Sequence, residues 1–538
     1  MMAPYPEPGH VSPSLAEYLP AFQGREDEPF LTFHPVSTAQ QQQQQQVRNR
    51  RRVTDDDRGK VDPAPAPTPN AKHTPYPHQQ QPTTLTRGEL WARASRLARA
   101  LTRGHGLGKG GRFVHLFRGN SVEDVALRVA ATMVGAVPVT VNWDSDPVER
   151  ILYKVQSSGA RVVLTHAGTP QEQAEAVRAA VAGDGVAVVD VQSLLQLQPG
   201  EEGYLASAEF AADVGEEDTR IVIYTSGSSG EPKGVMLPYR SYATNRPTFE
   251  SFLGLEDPAL RFTPVLVNPL HHTNSTALSD WALRRPGTRL HLFERYTTGY
   301  WAVVARVALG LVDDGDGGET PLPPAGEAAD AMVRRQLAAG VCVVCPTVSR
   351  HFDFLEGLVE GGRLPCDPLF LKAVAPVVTF LIGSAPVGPG TVVRLMVRRG
   401  RAWLGWEGVT FGCGACLKDA NPLETPPPQP PPLQHQPKQQ NYLGRLPTIR
   451  FGSTETCLQV MGTPNRALDE GGMMEAFRRG WEQPEGEPPG FWVGRPHPPF
   501  TEVGVGCLMY GIWVARQFVL NVMAYSIDSF IHAWRASR

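Results

Sequence analysis

Tyr224-Thr225-Ser226-Gly227-Ser228-Ser229-Gly230-Glu231-Pro232-Lys233-Gly234-Val235 is the stretch that decides the fold. Apolar Ile221, Val222 and Ile223 run into it, so a buried strand is predicted to deliver a polar loop at a fixed place on a sheet edge. Thr225, Ser226, Ser228 and Ser229 supply hydroxyls, while Gly227, Gly230 and Gly234 allow backbone N–H groups to turn inward around anionic oxygens. Lys233 adds a cation. A flexible Gly/Ser linker would explain the composition but has no need of Pro232-Lys233-Gly234 or of a strand leading in. The spacing also excludes a P-loop kinase or GTPase, which places Ser or Thr directly after the lysine, where this chain has Gly234.

Upstream, helices and short apolar strands alternate. Leu90, Ala94, Leu97, Ala98 and Leu101 share one helical face, and Arg112 to Phe117 reads as a strand. A helix over roughly 121–134 leads to the strand-like run 137–141. A second helix near 147–158 precedes 161–165, and Thr169-Pro170 with Glu172 gives an N-cap, a first-turn proline and a capping glutamate before a helix that hands over to 186–189. This repetition predicts an α/β fold, a mostly parallel sheet covered by helices on both faces.

In that setting the stretch from Tyr224 resembles the phosphate-loop signature of the adenylate-forming enzymes, the superfamily of acyl-CoA synthetases, peptide-synthetase adenylation domains and luciferases. Leu85-Thr-Arg-Gly-Glu-Leu-Trp91 and Gly119-Asn-Ser-Val-Glu-Asp-Val125 look like family segments upstream of the loop. Downstream, Val267-Asn-Pro-Leu-His-His-Thr-Asn274 is similar to the family's Pro-x-x-His element, with His272 as the aligned histidine bordering the acyl pocket and His271 leaving the assignment open by one residue. Gly383-Ser384-Ala385-Pro386 looks like the turn whose backbone lies along the adenine, where small residues allow close approach. Phe451-Gly452-Ser453-Thr454-Glu455 resembles the Tyr-Gly-x-Thr-Glu signature with phenylalanine for tyrosine. The resemblance gives Phe451 a ring face for adenine, Thr454 a hydroxyl for the α-phosphate and Glu455 an oxygen ligand for Mg²⁺.

The resemblance therefore implies a large N-terminal adenylation domain of helix-covered, mostly parallel sheets with a partial β-barrel. It implies ATP-dependent activation of a small-molecule carboxylic acid to an acyl-adenylate, then thioester formation with coenzyme A. ATP, Mg²⁺ and coenzyme A are the expected cofactors, with Thr225, Ser226, Gly227, Ser228, Ser229, Gly230, Lys233, Gly383, Ser384, Ala385, Phe451, Gly452 and Thr454 around the nucleotide. Lys233, Thr454, Glu455 and His272 are expected to be catalytic. The family's Thr-Gly-Asp element, hinge and lysine-bearing lid have no counterpart here, so the C-terminal small domain is expected to be absent. The alternative is a lidless nucleotide-binding pseudoenzyme or interaction module.

With 538 residues the chain has room for more than one core. A formal charge of −3 gives no reason to expect nucleic acid or an anionic membrane as partner. The first thirty residues carry Glu7, Glu17, Glu26, Asp27 and Glu28 without an apolar run, so no leader is evident and a cytoplasmic location is expected. Residues 1–34 read as the first part of the domain, 35–83 as a disordered Gln/Pro-rich insertion, and 84–503 as the adenylation domain, with disordered insertions near 312–328 and 411–442. Residues 504–538 form an atypical apolar segment, where Arg516, Gln517 and Asn521 argue against a membrane span and for a packing helix. Cys342 and Cys345 lie in a strand-like run and read as core. Cys413-Gly-Ala-Cys416 lacks the second pair or nearby histidines of a zinc site.

Overall fold

A computed structural model describes residues 3–36, 81–196, 204–225, 231–312, 322–323, 326–383 and 448–458, with strand fragments at 461–462, 495–496, 501–502, 506–508, 511–513 and 516–517. Near the N-terminus are β1 (Pro29–His34) and β2 (Thr83–Thr86). Then come β3 (Arg112–His115), β4 (Val137–Thr140), β5 (Val162–Thr165), β6 (Ala187–Asp190), β7 (Thr219–Thr225) and β8 (Lys233–Pro238). Last are β9 (Arg261–Leu266), β10 (Leu290–Phe293), β11 (Val341–Thr347), β12 (Val378–Ile382), β13 (Thr448–Phe451), β14 (Met461–Gly462) and β15 (Arg495–Pro496).

They form two sheets. The smaller has the order β6-β5-β3-β4-β7-β8 and is parallel except for the antiparallel β7/β8 pair. The larger has the order β15-β14-β13-β12-β11-β9-β10-β1-β2, with β13 through β9 and on to β1 all parallel. Among the described residues no barrel closes, so the partial barrel is not seen in them. At the far edge β1 pairs antiparallel with β2, setting Phe33 opposite Thr83 although about fifty residues separate them in the chain.

The helices expected before the loop are present and their local chemistry explains them. Thr86 caps helix Arg87–Arg99 through the Glu89 N–H, and the Glu89 carboxylate accepts from the Thr86 N–H, which satisfies two otherwise unpaired donors. That helix buries Leu90, Trp91, Ala94, Leu97 and Ala98. The capping box expected at Thr169 is not formed. Helix Gln171–Ala180 starts after Pro170, and the Thr169 hydroxyl donates instead to the Leu116 carbonyl at 2.6 Å, tying the turn to the end of β3. The apolar run 373–382 is divided between the end of helix Pro368–Val374 and β12.

One large core fills the space between the sheets and takes in Phe22, Trp91, Phe113, Tyr242, Leu278 and Trp281. A second lies on the outer face of the large sheet and includes Phe293, Trp301, Cys345 and Phe380, so Trp281, Phe293 and Trp301 are all core residues. Cys345 is fully buried, and burial pushes its thiol far up. No helix among the described residues is long and apolar enough to cross a membrane. The packing helix expected after Gly504 is not found there: 506–508, 511–513 and 516–517 are short antiparallel strands, in keeping with the β-branched and aromatic residues of that run. Most of 35–83, the insertion at 411–442 and Cys413 and Cys416 lie outside the described residues.

Gly135 ends helix Val122–Val134 at φ 69°, and a Cβ there would meet Val214 Cγ2 at 2.5 Å and the Lys109 Cα at 3.1 Å. Gly159 has a similar φ of 65° with open space around it. Gly135→Ala is therefore expected to destabilise by about 2 kcal/mol or more, combining left-handed strain with overpacking, and Gly159→Ala by about 1 kcal/mol from strain alone. Urea unfolding of the two variants checks this; equal effects would remove the packing argument.

Candidate functional site

β7 and β8 are two arms of a hairpin, and the Ser/Gly-rich stretch joins them. Thr225 pairs across the hairpin with Lys233, and Tyr224 with Gly234, so the hydroxyl that opens the loop and the ammonium that closes it are cross-strand neighbours. Lys233 is exposed and Thr225 half-buried. Ser226, Gly227, Ser228, Ser229 and Gly230 lie outside the described residues. The hairpin foot is anchored through Tyr224: its hydroxyl pairs with Ser157 Oγ at 2.7 Å, and the Lys154 ammonium sits 5.0 Å from its ring centroid. Lys154 itself is buried and ion-paired to Asp146 at 2.5 Å.

A second group gathers where parallel strands of the large sheet end. In open α/β sheets, ligands bind beyond the carboxyl ends of strands, where loops diverge. Here those ends are followed by Asn268 through His272 after β9, Gly383 after β12, and Gly452 through Leu458 after β13. Ser384 and Ala385 are outside the described residues, and Phe451 is placed as the last residue of β13.

The histidine loop is fixed from the other sheet. Asn120 donates to the carbonyls of Asn268 (3.1 Å) and Phe293 (2.9 Å) and accepts from the Leu270 N–H (2.7 Å), so one buried amide ties together β3, β9 and β10. Arg128 donates to the Leu270 carbonyl at 2.9 Å and is itself held by Asp124, which also pairs with His115. Burial would raise the Asp124 carboxyl, but Arg128 and His115 outweigh it and hold it well below the usual range. Asn120 and Asp124 lie in the family-like segment 119–125, while His115 and Arg128 flank it. Their hydrogen-bonding roles come from contacts about 150 residues apart, which no local pattern encodes.

His271 is buried edge-on against Trp143 at 4.4 Å, and neither of its ring nitrogens has a hydrogen-bond partner among the described residues. His272 is the exposed residue that precedes helix Thr273–Arg284. Burial, then the charge on Lys154, lowers the His272 pKa; His271 is lowered further by burial, His272 and Lys154. Lys154 thus acts on the histidine pair and on Tyr224 at once, which brings the hairpin foot and the histidine loop into one neighbourhood.

Glu455 is exposed and Thr454 half-buried in a tight turn closed by Cys457 N–H to the Thr454 carbonyl (3.0 Å) and Leu458 N–H to the Ser453 carbonyl (3.2 Å). Among the described residues, Cys457 (φ 56°) and Leu458 (φ 125°) are the non-glycine residues with positive φ. Such backbone is costly for side chains of this kind, and it persists here because both are buried in the core between the sheets. Asn245, on the helix that follows β8, donates to the Thr456 carbonyl at 3.3 Å. Hairpin and acidic turn are therefore linked through one helix. Glu455 and Thr454 present hard oxygen donors to solvent, a set that suits Mg²⁺, and the cation at Lys233 with the hydroxyl at Thr225 suits phosphate oxygens.

Residues 64–313 match the family model described as AMP-binding enzyme. Over 212 residues the chain is 32% identical to 4-coumarate--CoA ligase 3 of Oryza sativa subsp. japonica, covering 38% of this chain and 37% of that protein. It is 28% identical over 231 residues to the long-chain-fatty-acid--CoA ligase FadD13 of Mycobacterium tuberculosis, covering 42% and 44%. The match thus spans less than half the length of either relative. The solved structure of a Mycobacterium tuberculosis fatty acyl CoA synthetase shares the fold with a TM-score of 0.51 at 19% identity, over 80% of this chain and 62% of that one.

Proposed function

We propose, from the premise that this chain belongs to the adenylate-forming, AMP-binding superfamily, that it activates a small carboxylic acid with ATP and passes the acyl group to a thiol, that of coenzyme A. In the first step a carboxylate oxygen attacks the α-phosphorus of ATP, the bond to the bridging oxygen breaks, and pyrophosphate leaves with an acyl-adenylate remaining. In the second, the thiol sulfur attacks the acyl carbon and AMP departs.

The observation that carries this reading is the shared neighbourhood of the hairpin foot at Tyr224 and the His271-His272 loop around Lys154. It supports a reading in which a triphosphate grip would lie beside the place where an acid would enter. Lys233 and the Thr225 hydroxyl would neutralise charge on the leaving pyrophosphate, and Thr454 would donate to an α-phosphate oxygen. Glu455 would hold Mg²⁺, which supplies charge neutralisation on the phosphates when bound. His272, kept neutral by its surroundings, would orient the carboxylate without attracting it as an ion pair. The catalytic effect is positioning and electrostatics, with no covalent chemistry by the protein.

Carboxylate-dependent exchange of labelled pyrophosphate into ATP tests the first step. Exchange that depends on both an acid and the protein is expected. ATP binding with no exchange for any acid would leave a nucleotide-binding module in place of an enzyme.

A further inference from the structure

We propose that the acid taken by this site is a short dicarboxylic acid, with Arg450 receiving the carboxylate that does not react. The inference rests on the carboxylate-activating reading above and reaches past it to the substrate class.

Arg450, on β13, is 7% exposed, and its Nε has no hydrogen-bond partner among the described residues. Among those residues no acidic side chain pairs with it, and burial is the one influence on its pKa, drawn down to about 9, so it stays cationic at neutral pH. A buried guanidinium left without an anion costs several kcal/mol, on the order of what a broken buried ion pair costs. The fold keeps it there by omitting a neighbour. A Cβ on Gly383 would lie 2.9 Å from Arg450 Cγ and Nε, so the missing side chain is what lets the guanidinium lie across β12.

Strand register then shows what faces it. Ile382 pairs with Ile449 and with Thr347, and Pro264 with Val344. Arg450, Gly383 and Val348 follow one residue on, and the β9/β11 register, carried four residues past Pro264 and Val344, brings Asn268 beside Val348 just beyond the strand ends. Three strand spacings put Arg450 and Asn268 roughly 14 Å apart at their Cα atoms, a separation on the scale of two side chains and a short diacid together.

The opposite end also lacks partners. Asn268 donates to the Pro346 carbonyl, and its own carbonyl accepts from Ser275 Oγ at 3.0 Å, which seats the first turn of helix Thr273–Arg284 over it. In that turn Asn274 (3% exposed) has neither amide atom paired, and Thr273 (7% exposed) has an unpaired hydroxyl, among the described residues. Unpaired buried groups of this kind cost about 1–3 kcal/mol each, and the partial positive charge of a helix start favours an anion beside them. An alkyl chain would leave every one of these groups unsatisfied. A short diacid places one carboxylate at the helix start beside His272 and the other on Arg450, where planar two-point pairing is available.

The test compares pyrophosphate exchange supported by malonate, succinate and glutarate with that supported by butyrate, hexanoate and octanoate. At least one diacid is expected to exceed every monoacid in kcat/KM. Arg450→Gln is expected to raise the diacid KM by about 30-fold or more while leaving hexanoate unchanged or improved. A parent protein that prefers monoacids, or an Arg450→Gln variant that loses both classes alike, overturns the proposal. If that variant fails to fold, calorimetric titration of the parent with glutarate and hexanoate in the presence of ATP decides: tighter glutarate binding supports it, and tighter hexanoate binding or no diacid binding overturns it. Exchange with monoacids alone removes the diacid and keeps the activating reading, whereas loss of both ATP binding and exchange removes the two together.

Discussion

Replacing Lys233 or Glu455 by alanine is expected to lower acid-dependent pyrophosphate exchange by about 10²–10³-fold each, the range seen when one preorganised charge-stabilising group is removed from a transition state. Both side chains are exposed, so neither change leaves a cavity or an unpaired buried group, and unfolding midpoints should stay within about 0.5 kcal/mol of the parent. That separation makes the experiment decisive. A loss of exchange without a loss of stability assigns the two residues to chemistry. Lys233→Ala should also weaken ATP binding, because the ammonium closes the hairpin opposite Thr225. For Glu455→Ala the loss should become smaller as Mg²⁺ is raised, since the carboxylate acts through the metal. Exchange at parental rates in both variants would mean that the hairpin and the acidic turn serve different sites.

The largest effect on stability is expected at Asp280. This carboxylate is buried on helix Thr273–Arg284 and accepts from Arg220 at 2.5 Å, from Arg284 at 2.7 Å and from the Tyr18 hydroxyl. Arg284 in turn reaches Glu17, which also pairs with Arg246 at 2.7 Å. Asp280→Ala strands the buried Arg220 guanidinium, leaves Arg284 with Glu17 as its one carboxylate among the described residues, and is expected to cost about 3–5 kcal/mol. Burial by itself would raise the Asp280 carboxyl, but Arg220 and then Arg284 outweigh it and hold the pKa at about 2, below its ordinary value of 3.8. A depressed carboxylate stabilises the fold fully above its unfolded pKa, and that contribution fades as the pH falls through the folded one. The window is therefore roughly pH 4 down to pH 2, over which the parent should lose about 2 kcal/mol from this group. Urea unfolding at pH 7 and pH 3 checks both statements. An alanine variant with the parental midpoint at pH 7, or with the same acid-dependent loss, would show that the network contributes nothing. Arg220 lies on β7 and Asp280 on the helix that starts at the histidine loop, so the network clamps together the two elements that carry the candidate site.

The α/β alternation could be read before any coordinates because each helix carries a one-sided apolar stripe and each strand a short apolar run, and both are local patterns. The hairpin was not legible. A strand entering a glycine-rich loop looks the same whether a helix or an antiparallel strand follows, and Lys233 through Leu237 is too short and too exposed for its period to decide. Helix Glu327–Ala338 was likewise missed, since the Gly- and Pro-rich residues before it obscure its start. Lys233, His272, Thr454 and Glu455 were found as members of motifs. Asn120, Arg128, Lys154 and Arg450 stand in no such motif, because Asn120, Arg128 and Lys154 are distinguished by contacts distant in the chain and Arg450 by its burial without a partner among the described residues.

The pairing of Phe33 with Thr83 at the sheet margin has a consequence for how this protein can vary. Two adjacent, hydrogen-bonded strands hold the ends of the intervening stretch about 5 Å apart whatever its length. Lengthening it taxes the fold only through closure entropy, about 0.6 kcal/mol per doubling, and the margin lies on the opposite side of the sheet from β13. Glutamine and proline tracts could expand or shrink there over generations while the geometry of the candidate site stayed under its own selection.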